Sequence, residues 1–92
     1  MKIKLMADYG CFPLWYNDPG KCKDINPESL PLSPSTIDRL HKWANTFDSF
    51  LDWNDPPNSK KADEAFKQEG KELWQLLQVE LGSDYEITLY DH

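Results

Sequence analysis

The sequence predicts a two-layer α/β domain in the order β-α-α-β. A helical hairpin packs on a small sheet of the N- and C-terminal strands, with a Pro-rich flap beside it. Three observations predict this. Both ends of the chain alternate apolar and polar residues with period two. The middle carries two apolar stripes at helical spacing. Between the first strand and the first helix lies a Pro-rich segment that fits neither period.

The first strand is read over residues 3–9. Ile3, Leu5, Ala7 and Tyr9 alternate with Lys4, Met6 and Asp8, the pattern of a half-buried strand, and Gly10 ends it. Residues 10–33 hold Pro13, Pro19, Pro27 and Pro31. Proline fixes φ and removes an amide donor, so no helix is expected there. The segment is also apolar, at Phe12, Leu14, Trp15, Tyr16, Leu30 and Leu32. A structureless loop of this length in a compact domain either packs or functions. It is therefore expected as a flap folded over one side of the core. A hairpin centred on Asn17-Asp18-Pro19-Gly20 is expected to set Cys22 opposite Trp15.

The first helix is predicted over about residues 34–53. Ser33 suits an N-cap and Pro34 the first helical position. Ile37, Leu40, Trp43, Ala44, Phe47, Phe50 and Leu51 form its stripe, and Pro56-Pro57 stops it. The second helix is predicted to start between Ser59 and Ala62 and to end at Leu81. Its stripe is Ala62, Phe66, Gly70, Leu73, Trp74, Leu77 and Leu81. Gly70 lies in that stripe and is expected to admit a close approach by the first helix or a large ring. Gly82 suits a left-handed cap. The last strand is read over 85–90, with Tyr85, Ile87 and Leu89 inward and Glu86, Thr88 and Tyr90 outward. Whether the two strands run parallel or antiparallel stays open.

Composition bounds the function. Residues 1–92 make one domain, with 13% aromatic residues to supply buried area. Sixteen Asp and Glu against ten Lys and Arg give a net charge of −6. That balance opposes binding to nucleic acid or anionic lipid. No run approaches the ~20 apolar residues of a membrane span. The first residues are too polar for a signal peptide, so the cytoplasm is expected. Cys11 and Cys22 are then expected as free thiols. Two sulfurs do not make a metal site, and no Gly-rich phosphate loop or nucleophilic constellation is present, so no cofactor is expected. A monomer and a homodimer both fit.

Several stretches bear a family resemblance. These are Ala7-Asp8-Tyr9-Gly10-Cys11-Phe12-Pro13-Leu14-Trp15, Asp24 through Ser33, Leu40-His41-Lys42-Trp43-Ala44, and Phe47-Asp48. Phe66, Glu69, Gly70 and Leu73 continue the pattern, as does Glu80-Leu81-Gly82. Together they resemble a group of small uncharacterised bacterial proteins, and Lys21, Cys22 and Lys23 depart from that pattern. The resemblance implies no activity and no binding residue. In size, acidity and element order the chain also resembles the immunity proteins of bacterial toxin systems such as contact-dependent growth inhibition. That resemblance implies a protein partner.

Two functional classes follow. In the first, the chain is a non-enzymatic acidic protein that binds a basic protein partner. Residues 43–59 hold Asp48, Asp52 and Asp55 with no Lys or Arg, and the last strand adds Asp84, Glu86 and Asp91. If these stretches meet, they make one acidic patch that steers basic partners. In the second, the chain is a small-molecule-binding protein or an enzyme, with a pocket between the flap and the helices and Asp8, Tyr9 and Trp15 as its residues.

Overall fold

The computed structural model describes every residue except Cys22, Lys60 and His92. The free-thiol expectation for Cys22 lies outside the described residues. Four strands and two helices run in the order β1 (Lys2–Leu5), β2 (Leu14–Tyr16), β3 (Asp24–Ile25), α1 (Pro34–Asp48), α2 (Glu64–Leu81) and β4 (Glu86–Leu89). Short 3₁₀ turns occupy Pro27–Ser29 and Pro56–Asn58.

The strands form one mixed sheet in the order β3-β2-β1-β4. The terminal strands pair as expected, and they run parallel, with Ile3 opposite Ile87 and Leu5 opposite Leu89. A parallel pair needs a long crossover, and the whole helical hairpin serves as one. Ile3, Leu5, Leu14 and Ile87 are buried under the helices. From α1, Leu40 and Trp43 join that core; from α2, Phe66, Leu73, Leu77 and Leu81 do. Full burial of each Leu or Phe contributes about 1.5–3 kcal/mol.

The Pro-rich segment departs from the expected flap. It supplies two of the four strands, β2 antiparallel to β1 and β3 antiparallel to β2. Its prolines flank these strands rather than interrupt them. Pro13 precedes β2, Pro19 lies in the turn and Pro27 follows β3. The missing amide donors therefore cost no ladder bonds, and the Pro13 carbonyl accepts the Met6 N–H at 2.9 Å. The hairpin register also differs from expectation, since Trp15 faces Asp24.

Local chemistry sets the helix ends. The Ser33 hydroxyl accepts the Thr36 N–H at 3.3 Å, with Pro34 next in the chain, as expected. α1 stops at Asp48, five residues before the expected end. Phe50 N–H bonds to Phe47 and Leu51 N–H to Asp48, three residues back, so the last turn tightens and swings Phe50 into the core. α2 starts at Glu64 because the Asp63 carboxylate accepts the Phe66 N–H at 2.8 Å. It ends at Leu81, and Gly82 takes φ +75°. Two polar clasps join the first turns of α1 to α2. The Arg39 guanidinium meets the Glu69 carboxylate through two contacts, at 2.5 and 3.1 Å. Near the start of α1, the Glu80 carboxylate accepts the Ser33 N–H at 2.6 Å and the buried Thr36 hydroxyl.

Candidate functional site: the acidic end of the domain

Parallel pairing of β1 and β4 delivers their C-terminal ends to the same edge of the molecule. Beyond β1 the chain continues as Met6-Ala7-Asp8-Tyr9-Gly10; beyond β4 it continues as Tyr90-Asp91. Gly10 takes φ +72°, a conformation that glycine adopts without strain, and turns the chain toward α1. There the Asp48 carboxylate accepts the Gly10 N–H at 3.1 Å. The Tyr9 ring stacks on Phe47, with centroids 4.7 Å apart. An open concavity of about 430 Å³ results. Asp8, Tyr9, Phe47, Ala62, Tyr90 and Asp91 line it, with Met6, Ala7 and Lys61.

The connection between the helices leaves α1 at this edge and returns to it through Lys61 and Ala62. One Asp52 carboxylate oxygen accepts the Asn54 N–H at 3.0 Å and the Asp55 N–H at 3.1 Å. The Ser59 hydroxyl accepts the Asp52 N–H at 2.9 Å and donates to the Pro56 carbonyl at 2.7 Å. The Asn58 amide donates to the Asp55 carboxylate. Trp53 projects from this bonded turn, 79% exposed.

The six acidic candidates separate into two groups. Asp8 and Asp91 line the concavity, Asp48 bonds Gly10 at its edge, and Asp52 and Asp55 follow in the connection between the helices. Asp84 and Glu86 sit at the opposite end of β4. There the Met1 ammonium donates to the Asp84 carbonyl at 2.8 Å, and Glu86 stands opposite Lys2. Of the alternative set, Asp8 and Tyr9 line the concavity. Trp15 lies on β2, where its indole N–H donates to the Met6 carbonyl at 2.9 Å. Sequence reasoning did not group Phe47 and Tyr90 with this site. It placed Phe47 in the core and Tyr90 on a wet strand face, and the parallel strand direction that unites them was open.

A smaller crevice of about 240 Å³ separates the Pro-rich segment from α1, with Cys11, Asp24, His41 and Asp48 on its walls. The Asp24 carboxylate accepts the Phe12 N–H at 2.9 Å. Cys11 donates to the Tyr9 carbonyl at 3.6 Å. Burial pushes the Cys11 thiol pKa up, and Asp8, Asp24 and Asp48 add to the effect. Among the described residues, no three His, Cys, Asp or Glu converge to hold a metal ion. No described helix is long and apolar enough to cross a membrane.

The fold is that of a small mixed α/β domain. The chain belongs to the Serratia CdiI immunity protein-like family, whose pattern matches residues 1–92. A search of curated proteins returns no match.

Proposed function

We propose that this chain is the immunity partner of a contact-dependent growth inhibition toxin. It binds a basic toxin protein in the cytoplasm and blocks its action without catalysis of its own. The family match over the whole length carries this reading. The physical support is charge. A net −6 on a domain this small creates a field that speeds encounter with a basic surface. An acidic face also competes for any toxin groove built to hold phosphates. The end of the domain bearing Asp8, Asp48, Asp52, Asp55 and Asp91 is the proposed contact face. The test is co-expression with toxins of the contact-dependent growth inhibition class, starting with any encoded beside this gene. Growth arrest by one of them alone, and rescue by this chain, is the expected result. Arrest by all of them that persists with folded, abundant chain present overturns the reading.

A further inference from the structure

The four tryptophans have different fates. Trp43 is buried. Trp15 and Trp74 are half-buried and bonded through their indole N–H groups to the carbonyls of Met6 and Ile87. Trp53 is 79% exposed, and no described residue bonds its indole or stacks on it. Folding therefore gives this large apolar ring almost nothing. The backbone that carries it is nonetheless held in place. Phe50, three residues earlier, is buried against the Phe47 and Phe66 rings. On either side of Trp53, Asp52 and Ser59 close the turn described above. A ring on an already ordered backbone loses less freedom on binding than one on a loose loop. Tryptophan leads the residue types that dominate protein interfaces when set in a desolvated notch with a polar rim.

We infer that Trp53 is the apolar anchor by which this chain docks on its toxin. The inference rests on the immunity reading above. Charge complementarity identifies the occupant. Asp52 and Asp55 flank the ring, and the stretch 43–59 has no cation of its own. The surface that receives Trp53 is thus a protein notch rimmed by Lys or Arg. A second copy of this chain would bring acidic loops together, which like-charge repulsion opposes.

The test uses the toxin that wild-type chain neutralises in co-expression. Its dissociation constant and rate constants are measured against wild type, Trp53→Ala, Trp53→Phe and Trp53→Gln. Loss of an anchor raises Kd at least about 30-fold, mainly through faster dissociation, and Phe recovers part of the loss. The unfolding midpoints should stay close to wild type, since the indole is 79% exposed and no described residue stacks on it. Trp53→Gln keeps the test valid if Trp53→Ala folds poorly. Two folded variants that bind within about threefold of wild type overturn the anchor and leave the immunity reading standing. Wild-type self-association that Trp53→Gln abolishes also overturns it, by naming a second copy as occupant. A wild-type chain that neutralises no such toxin removes the immunity reading, and the anchor falls with it.

Discussion

Gly70 of α2 lies directly against the Trp43 ring of α1. A β-carbon built on Gly70 would stand 3.0 Å from Trp43 Cζ2. The ring has little room to retreat. It stacks on Phe66 at 4.6 Å and 7°, and its N–H donates to the Phe66 carbonyl at 3.0 Å. Gly70→Ala gains about 1 kcal/mol of helix propensity. Overpacking a fixed ring costs typically 1–3 kcal/mol, so the packing term wins. We expect a net loss of about 1 kcal/mol, read by urea denaturation. A more stable Gly70→Ala variant would show that Trp43 can move.

The Glu80 clasp predicts a pH dependence. Burial works to raise the Glu80 pKa. Hydrogen bonds from the Thr36 hydroxyl and from the Ser33 N–H and hydroxyl outweigh it and hold the carboxyl below its ordinary range. The folded state then binds fewer protons than the unfolded state. The stabilisation is complete above the unfolded value of about 4.3 and is lost as pH falls through the lower folded value. Glu80→Gln should flatten the acid limb of the stability profile. Glu80→Ala leaves the buried Thr36 hydroxyl without its acceptor and should cost about 1–3 kcal/mol. An acid limb unchanged in Glu80→Gln would assign the dependence to other carboxylates.

These two contacts mark how far the sequence could be read. The Gly70 contact was legible, because a glycine inside an apolar stripe implies a close neighbour. The Glu80 clasp was not, because it joins residues 44 and 47 positions apart whose spacing carries no period. Both helices were legible from their stripes. The overlong end given to α1 came from Phe50 and Leu51, which continue the helical period although the chain has already turned. β2 and β3 escaped notice because strands of three and two residues are too short to show alternation. The acidic end depended on strand direction. Parallel pairing brings Asp91 to the edge that holds Asp8, and nothing local to residues 83–92 encodes that.

Cys11 offers a chemical probe of the crevice. The neutral thiol is favoured first by burial, then by Asp8, Asp24 and Asp48, so less thiolate is present near neutrality. Alkylation of Cys11, followed by peptide mass spectrometry, should be slower in folded than in urea-unfolded protein. The folded rate should keep rising with pH beyond the ordinary cysteine value of about 8.5. Asp24→Asn should speed it modestly. Equal rates in folded and unfolded protein would mean that the crevice does not shelter the thiol.

The two ends of the domain can be told apart by charge. Asp55→Asn with Asp91→Asn removes two charges from the proposed contact face. Asp84→Asn with Glu86→Gln removes two from the far end of β4. All four side chains are exposed, so each pair should change stability by no more than about 0.5 kcal/mol. Asp48 and Asp52 are poor choices, because their carboxylates hold the amides of Gly10, Asn54 and Asp55. Both double variants alter the net charge equally, so any difference between them reports position. Association of the first pair with the neutralised toxin should be several-fold slower at low salt, with dissociation little changed. The far-end pair should associate almost as fast as wild type. The gap should close as salt rises, since the Debye length falls from ~10 Å at 0.1 M to ~3 Å at 1 M. If the far-end pair is the slower, the toxin approaches the Met1 side of the sheet, and the contact face must be reassigned to Asp84 and Glu86.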